Sequence, residues 1–202
     1  MYILIPLNSS YLVKKYGFEK DFICFIKNKV IPSMINRFIL DKRVKNIEII
    51  SDIDFSSVID KNNKCKIQKM DIGSNLTTNE VTSKLLRLRK NSSDIVLQVN
   101  PLFPFISIES LQRAHECLSN GKCISAMGSY INYSSTENLD IITQGDIGIL
   151  TAYRDSKFKS ILKRVSPPCE LIRLKAVEMI SLRTSDDFKL FELVLNSGYE
   201  IQ

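Results

Sequence analysis

The chain has 202 residues, of which 44% are hydrophobic and 25% charged, and its formal net charge is +6. This composition predicts one soluble globular domain in the cytoplasm, and the lack of an apolar run of about 18 residues argues against a membrane span. The positive charge favours an anionic partner such as a nucleotide or a phosphorylated sugar, although it serves solubility equally well. The sequence has no Arg-rich tail and no RNA-recognition motif, so nucleic acid is not an expected partner.

Strand and helix signals alternate through the first two thirds of the chain. Apolar and β-branched runs predict strands at residues 2–6, 46–50, 64–69, 95–99 and 122–127. Apolar residues at helical spacing and local capping signals predict helices at residues 29–42, 56–60, 78–90 and 107–119. This alternation predicts a mostly parallel sheet with right-handed crossovers, and therefore an α/β fold.

The pattern changes in the last third of the chain. The sequence predicts short strand-like pieces at residues 129–153 and a basic helix at residues 155–164. A strand or hairpin is predicted at residues 169–182. A final helix is predicted to begin at Ser185, which can act as its N-cap, and to end at Gly198. We therefore expect a single domain over residues 1–202, with residues 129–175 forming a small insert.

Five cysteines are spread along the chain, at positions 24, 65, 117, 123 and 169. Their number is odd, and the sequence contains no CxxC motif and no Cys/His cluster. A zinc site needs clustered ligands, and a disulfide framework needs more cysteines in a shorter chain. The cysteines are therefore expected to be reduced thiols.

The most informative segment is Asp94–Phe105, a buried strand that stops abruptly at a Pro-rich turn. In an α/β fold such a strand end borders the ligand site. This segment, together with residues 3–6, 44–52 and 180–188, resembles motifs of the cytidylyltransferases that make CMP-activated acidic sugars, the CMP-sialic acid and CMP-Kdo synthetase family. The resemblance implies the nucleotide-diphospho-sugar transferase fold, which is Rossmann-like with helices flanking a mostly parallel sheet. It also implies a homodimer with residues 129–175 in the contact region.

The resemblance further implies transfer of CMP from CTP to an acidic or phosphorylated sugar or a related alcohol, with Mg²⁺ as cofactor. The family holds the phosphates with a loop rich in Gly, Arg and Lys after the first strand. Here the positions of the family's Arg and two Gly fall on Asn8, Ser9 and Ser10. Lys14 and Lys15 are candidate catalytic residues in this loop, with solvated lysines as the alternative. The candidate nucleotide-binding residues are Leu7, Asn8, Ser9, Ser10, Gln98 and Asn100; for Gln98 a buried structural amide is the alternative.

The family's metal site is altered in this sequence. Its C-terminal pair of aspartates falls on Ser181, a weak neutral ligand, and on Arg183, which repels a cation. Arg183 is therefore a candidate catalytic residue that neutralises phosphate charge by itself. Asn100 stands where the Kdo branch has an aspartate, and an amide is a poor anchor for Mg²⁺. The sequence does not identify the metal ligands.

The candidate substrate-binding residues are Gln144, Asp146 and Arg154. The first two resemble the segment that faces the acidic sugar, and a hairpin turn explains them equally well. Arg154 can bind a carboxylate, with an exposed helix cation as the alternative. Asp52 and Asp54 end a strand at the predicted ligand edge, where turn-forming roles explain them as well.

Three functions remain open from the sequence. The first is an active cytidylyltransferase, which the resemblance and the positive charge favour. The second is a catalytically impaired nucleotide-binding or scaffold relative, which the loss of both the glycine loop and the metal aspartates favours. The third is a different transferase on the same fold that uses another nucleotide.

Overall fold

The computed structural model describes residues 1–17, 19–55, 63–69, 94–132, 140–142, 149–161 and 164–197. Within these residues the chain forms an eight-stranded sheet flanked by helices. The predicted α/β fold class is therefore confirmed. The single-domain organisation, with residues 129–175 as an insert, stays a prediction.

Four parallel strands form one half of the sheet, in the order β3-β2-β1-β4. Their bounds are Tyr2–Leu7 for β1, Asn46–Ser51 for β2, Cys65–Lys69 for β3 and Ile95–Val99 for β4. Both β2 and β4 bury every residue after their first, which is typical of strands covered on both faces. The four predicted strands are confirmed to within one residue at each end.

The other half of the sheet contains a strand that runs the opposite way. Strand β7 lies between β4 and β5 and is antiparallel to both. Strand β5 also pairs with β6, which is antiparallel to it, and with β8, which is parallel to it. The bounds are Ser125–Asn132 for β5, Asp140–Ile142 for β6, Leu150–Arg154 for β7 and Cys169–Arg173 for β8. Direction therefore reverses at β7, next to the central strand β4.

The described residues also form six α-helices. Their bounds are Ser9–Tyr16 for α1, Lys20–Phe25 for α2, Ile31–Leu40 for α3, Ile108–Ser119 for α4, Asp155–Ile161 for α5 and Ser185–Asn196 for α6. A π-helical turn at Ile26–Val30 joins α2 to α3, and a 3₁₀ turn at Ala176–Met179 precedes α6. None of the described helices is long and apolar enough to cross a bilayer.

The structure corrects several predicted bounds. Residues 9–16, expected as part of a phosphate loop, form helix α1. The strand expected at residue 122 begins at Ser125. Residues 121 and 122 still belong to the end of α4, because Gly121 adopts a positive φ of 70° and the Lys122 N–H donates to the Cys117 carbonyl. For the segment 169–182 the strand alternative is confirmed, since it forms β8 followed by the 3₁₀ turn and not a hairpin. The helices predicted at 56–60 and 78–90 lie outside the described residues.

The predicted cap of the last helix is also wrong by one residue. Thr184, not Ser185, is the N-cap of α6. Its Oγ1 accepts from the Asp187 N–H (3.3 Å), while the Asp187 carboxylate accepts from the Thr184 N–H (2.7 Å). This reciprocal capping box fixes the start of α6, and Asp187 has the helix-opening role that its position suggested. The predicted end of the helix at Gly198 lies outside the described residues.

Alternating side chains of the strands divide the interior into two apolar clusters. On one face Ile3, Ile49 and Leu97 pack with residues of α3, α4 and α6 in the main core. On the other face a smaller cluster contains Tyr2, Leu4, Ile50, Val96, Tyr153 and Phe158. The central strands are thus covered on both sides, which leaves their ends as the places where the sheet can meet a ligand.

A buried polar network fixes the Pro-rich turn that follows β4. Arg37 of α3 donates to the backbone oxygens of Pro104 and Ile106. Glu178 is fully buried and accepts from the Ser107 N–H (2.8 Å), which lies just before α4. Burial lowers the pKa of Arg37 to about 10, and the nearby charge of Glu178 offsets part of that effect. The turn at the end of β4 is therefore held from two sides.

Candidate functional site at the strand ends

The strand order predicts a crevice between the carboxyl ends of β1 and β4. Strand β1 pairs with β2 on one side and with β4 on the other, so the order of the parallel strands reverses between β1 and β4. In open α/β sheets such a switch point is where ligands bind. Leu7 lies opposite Ser51 at the ends of β1 and β2, and Leu4 lies opposite Gln98 on β4. The residues that follow these strands therefore meet at one edge of the sheet.

On the β1 side of the crevice, helix α1 begins immediately after the strand. The Asn8 carbonyl accepts from the Leu12 N–H (3.1 Å), and Ser9 and Ser10 form the first turn. Leu7 itself is buried, with 1% of its surface exposed. The sequence-based loop is thus a helix start, which presents backbone N–H groups where the family's loop presents its glycines.

Those N–H groups are already occupied by the carboxylate of Asp52, which follows β2. The Ser9 N–H donates to Oδ1 (2.8 Å), and the Ser10 N–H donates to Oδ2 (3.1 Å). The hydroxyls of Ser9 and Ser10 also donate to Oδ2, at 2.6 and 3.0 Å. Burial raises the pKa of Asp52, but the hydrogen bonds from Ser9 and Ser10 together bring it below its ordinary value. Asp52 is therefore a fixed anion at the start of α1.

The sequence reading missed this contact, although a signal for it was present. Ser9 and Ser10 follow β1, and Asp52 follows the parallel neighbour β2. Because Leu7 and Ser51 are paired at the ends of these strands, the residues that follow them lie close together. The sequence places Asp52 at the predicted ligand edge, with a turn-forming role as the alternative. Its partners are on a different element, so local spacing did not show that it closes the site of the expected phosphate loop.

On the β4 side, Asn100 is buried with 6% of its surface exposed. Its backbone N–H donates to the Ile149 carbonyl (3.0 Å), and its side-chain Oδ1 accepts from the Leu102 N–H (3.0 Å). The side-chain Nδ2 is buried and has no hydrogen-bond partner among the described residues. The end of β4 therefore presents a held amide whose donor is unpaired.

The segment before α6 adds a positive charge next to this turn. The Leu182 N–H donates to the Leu102 carbonyl (2.8 Å), which places Ser181 and Arg183 on either side of the contact. Arg183 is exposed, and its backbone N–H donates to Asp187 Oδ2 (2.8 Å). Burial raises the pKa of Asp187, but the hydrogen bonds from Arg183 and Thr184 lower it overall. The structure thus brings Arg183 close to the turn after Asn100.

Gln98 lies in the interior of the sheet. It is 5% exposed, and its Oε1 accepts from the Tyr153 hydroxyl (3.2 Å) on the face covered by the smaller cluster. This contact agrees with the alternative left open by the sequence, a buried structural amide. Gln98 supports β4 and is not one of the groups that follow the strand into the crevice.

Arg154 lies at the other end of the strands, away from the crevice. Because β7 is antiparallel to β4, Arg154 is paired with Ile95, at the beginning of β4 and not at its end. Its Nη1 donates to Asp94 Oδ2 (2.6 Å), and its Nη2 donates to the Leu118 carbonyl. Burial raises the pKa of Asp94, but the hydrogen bonds from Arg154 and Ser156 lower it overall. The structure does not bring Arg154 to the crevice, and substrate binding by Arg154 is not supported.

The remaining candidates are placed only in part. Lys14 and Lys15 lie in the second half of α1, beyond its first turn, and their side chains are outside the described part of the structure. Gln144 and Asp146 fall in a segment outside the described residues. Their proposed roles stay predictions.

The donor set at the crevice does not fit Mg²⁺. The described residues contain no group of three or more His, Cys, Asp or Glu side chains that could hold a metal ion. The Asp52 carboxylate already accepts four hydrogen bonds, and the unpaired group of Asn100 is a donor. At nucleotide sites Mg²⁺ is usually held by one or two carboxylates together with substrate phosphates and waters, and the Asp52 carboxylate is already engaged by Ser9 and Ser10.

Comparison with solved structures identifies the architecture. The 4-diphosphocytidyl-2C-methyl-D-erythritol synthase of Anaerococcus prevotii matches with a TM-score of 0.65 and 14% identity, over 96% of this chain and 95% of that chain. The 2-C-methyl-D-erythritol 4-phosphate cytidylyltransferase of Francisella tularensis matches with a TM-score of 0.61 and 13% identity, over 95% and 97%. The chain has the nucleotide-diphospho-sugar transferase fold.

A third similar structure is the bifunctional IspDF of Campylobacter jejuni, with a TM-score of 0.54 and 14% identity, over 93% of this chain and 53% of that chain. None of these three is a sialic acid or Kdo synthetase, so the finer assignment to that branch stays a prediction. No protein-family model matches the sequence, and no curated protein matches it. At such low identity the likeness establishes the fold, and the function has to be argued from the site.

Proposed function

We propose that the protein binds CTP in the crevice between β1 and β4 and transfers CMP to a phosphorylated sugar or a related alcohol. The observation that carries this proposal is the switch point between β1 and β4, where the order of the parallel strands reverses and the residues that follow the strands meet. The similar structure from Francisella tularensis, whose name describes a 2-C-methyl-D-erythritol 4-phosphate cytidylyltransferase, supports the choice of donor and acceptor.

In this proposal a hydroxyl of the acceptor attacks the α-phosphorus of CTP and pyrophosphate leaves. Charge develops on the phosphate oxygens during the transfer and has to be neutralised. Arg183 supplies a permanent positive charge beside the turn after Asn100, and Lys14 and Lys15 are the proposed cations on the α1 side. The net charge of +6 favours the approach of a polyanionic nucleotide.

The test is a binding and turnover experiment on the purified chain. Calorimetry with CTP, UTP, ATP and GTP is expected to show preferential binding of CTP. CTP mixed with 2-C-methyl-D-erythritol 4-phosphate and other phosphorylated polyols is then expected to release pyrophosphate. Failure of CTP to bind under any ionic condition would contradict the proposal.

A second candidate is a nucleotide-binding protein that does not catalyse transfer. The observation that favours it is Asp52, whose carboxylate occupies the N–H groups that a phosphate would need at the start of α1. CTP binding without pyrophosphate release, across the whole panel of acceptors, would favour this candidate over the first.

A further inference from the structure

We infer that strand β8 is a docking surface for a second copy of this chain, which adds its own β8 in the antiparallel direction and extends the sheet across a two-fold axis at Leu171. The inference goes beyond the proposed function, because it concerns an edge of the sheet that nucleotide binding does not use. In the described part of the chain β8 pairs with β5 alone, so its other side is an edge of the sheet.

The backbone of β8 offers hydrogen-bonding groups along that edge. The N–H and C=O groups of successive residues in a strand point to opposite sides. The Leu174 N–H donates to the Ser129 carbonyl on β5 (2.8 Å), so the even-numbered residues of β8 point to β5. The odd-numbered residues Cys169, Leu171 and Arg173 therefore point to the edge. For Cys169 and Leu171, neither the N–H nor the C=O has a hydrogen-bond partner among the described residues.

The edge carries none of the features that usually prevent association. Many proteins protect an edge strand with a lysine, a proline or a bulge. The five residues of β8 include no lysine and no proline, and their register with β5 is continuous. Leu171, at the centre of the strand, is 40% exposed. An unprotected edge with an exposed apolar centre favours the addition of another strand.

A groove beside this edge gives the added strand a place to lie. Its volume is about 330 Å³, and it is bounded by β8 and the second half of α4. Arg113 of α4 donates through Nη2 to the Arg173 carbonyl at the edge (2.8 Å) and to the Ser110 hydroxyl (3.0 Å). The Nη1 group of Arg113 has no hydrogen-bond partner, and no carboxylate lies within ion-pair distance of it, in the part of the chain that the structure describes. The groove thus presents a cation at the edge.

Two β8 strands complement one another in the register that pairs Leu171 with its own copy. Each Leu171 then exchanges its N–H and C=O with the other, and the two exposed side chains meet on one face of the sheet. On the face that α4 covers, Glu170 of the second copy falls opposite Ile172, one residue from the carbonyl that Arg113 contacts. The two-fold axis repeats this contact, so opposite charges meet twice.

Glu170 is available for that contact. Its side chain is exposed, and it has no ion pair with any residue that the structure describes. Two chains with a net charge of +6 repel one another, so a contact between copies needs a local match of opposite charges. The pairing of Glu170 with Arg113 supplies this match, and it favours a second copy as the occupant.

The test is sedimentation velocity of the full chain over a range of concentrations. Two strands of five residues form a small interface, so we expect a reversible dimer with a dissociation constant on the order of 10 μM. Leu171→Lys places two like charges against each other at the axis and is expected to weaken the dimer by about tenfold or more. Leu193→Lys, the same change at an exposed position of α6, is the control and should dimerise as the unchanged chain does.

A charge reversal tests the register. Glu170→Lys places a cation against Arg113 of the other copy, so the dissociation constant of the dimer is expected to rise by about tenfold. Glu192→Lys makes the same charge change at an exposed position of α6 and is the matched control. Equal dissociation constants for these two variants would overturn the register and the inference with it.

Hydrogen exchange of the unchanged chain keeps the test independent of the folding of the variants. The Leu171 N–H is expected to exchange about fivefold more slowly at a concentration about tenfold above the dissociation constant than in the monomer. The Glu170 N–H, which points to β5, is the internal reference and should be unchanged. A dimer that leaves Leu171 exchange unaltered, or a Leu171→Lys dimer as tight as that of Leu193→Lys, would overturn the inference. A chain that stays monomeric up to about 1 mM would also overturn it, and a strand of a different protein would then be the alternative occupant.

Discussion

The two sides of the crevice differ in whether their N–H donors find a hydrogen-bond partner within the protein. At the end of β1 the first N–H groups of α1 are satisfied within the protein by Asp52. At the end of β4 the Asn100 amide is held in place, but its donor has no partner among the described residues. The α1 side is thus closed by an internal anion, whereas the β4 side is open in the sense that one buried donor has no partner among the described residues.

The largest expected effect concerns the support of the open side. Glu178→Ala removes a buried carboxylate that accepts from the Ser107 N–H, the Ser110 hydroxyl and the Lys175 N–H, and it leaves Arg37 without a nearby negative charge. We expect the free energy of unfolding to fall by about 3 kcal/mol or more, measured by urea denaturation. Glu192→Ala on the exposed side of α6 is the control. Equal stability of the two variants would show that the turn after β4 does not depend on this network.

Asp52→Asn tests the closed side directly. The variant keeps an oxygen for the Ser9 N–H but loses the charge at the start of α1, so we expect the free energy of unfolding to fall by about 1–2 kcal/mol. CTP affinity should rise by about fivefold, because the fixed negative charge that repels a phosphate at this helix start is removed. Asp21→Asn at an exposed position of α2 is the matched control. Loss of stability without a gain in CTP affinity would show that Asp52 does not affect nucleotide binding.

The same carboxylate gives the protein a defined response to acid. The folded-state pKa of Asp52 lies below its ordinary value of 3.8, so its contribution to stability is complete above that value and is lost as pH falls through the folded pKa. We expect the difference in unfolding free energy between the unchanged protein and Asp52→Asn to shrink as the pH is lowered below 3.8. Urea denaturation at several pH values measures it. A difference that grows on acidification would contradict the lowered pKa.

Arg183→Ala removes a cation that adjoins the turn after Asn100 through the contact of Leu182 with Leu102. We expect the affinity for CTP to fall by about tenfold, because this exposed residue is proposed to neutralise phosphate charge. Lys189→Ala, which removes a charge from an exposed pair with Asp186, is the control and should leave CTP affinity unaltered. Equal affinities of the two variants would show that Arg183 does not contact the nucleotide.

The smallest effect is expected at the far edge of the sheet. Arg154→Ala breaks a partly exposed ion pair with Asp94, and we expect a loss of at most about 1 kcal/mol in unfolding free energy. CTP affinity and acceptor use should not change, because Arg154 is at the beginning of β4. A tenfold loss of CTP affinity, as large as the loss expected for Arg183→Ala, would show that Arg154 takes part in binding and that the two ends of β4 do not differ in this respect.

The parallel half of the fold could be predicted from the sequence because its strands are short, continuous apolar runs. Strand β4 and the buried positions of α3, such as Met34 and Phe38, carry periodic signals that no tertiary contact overrides. Helix α1 was not predicted, because its start depends on Asp52, which is 42 or 43 residues away in the chain. Local patterns contain no information about such a partner.

The candidate site was predicted in part for the same reason. Asn100 follows directly from the strand end and its Pro-rich turn, and Arg183 follows from the family motif. The positive charge of Arg154 made it a candidate for binding a carboxylate, but the sequence does not show that β7 is inserted antiparallel between β4 and β5, which places Arg154 at the beginning of β4. Gln98 shows a related limit, since the sequence could not choose between a ligand contact and the hydrogen bond with Tyr153.

The contact between Asp52 and α1 has a consequence for the course of ligand binding. A glycine-rich phosphate loop gains much of its order from the phosphate, so its association carries an entropic cost and a large change in heat capacity. Here Ser9 and Ser10 are ordered by a residue of the protein before any ligand arrives. The start of α1 is thus preorganised, and a nucleotide bound as proposed would meet a rigid rim whose shape is set during folding.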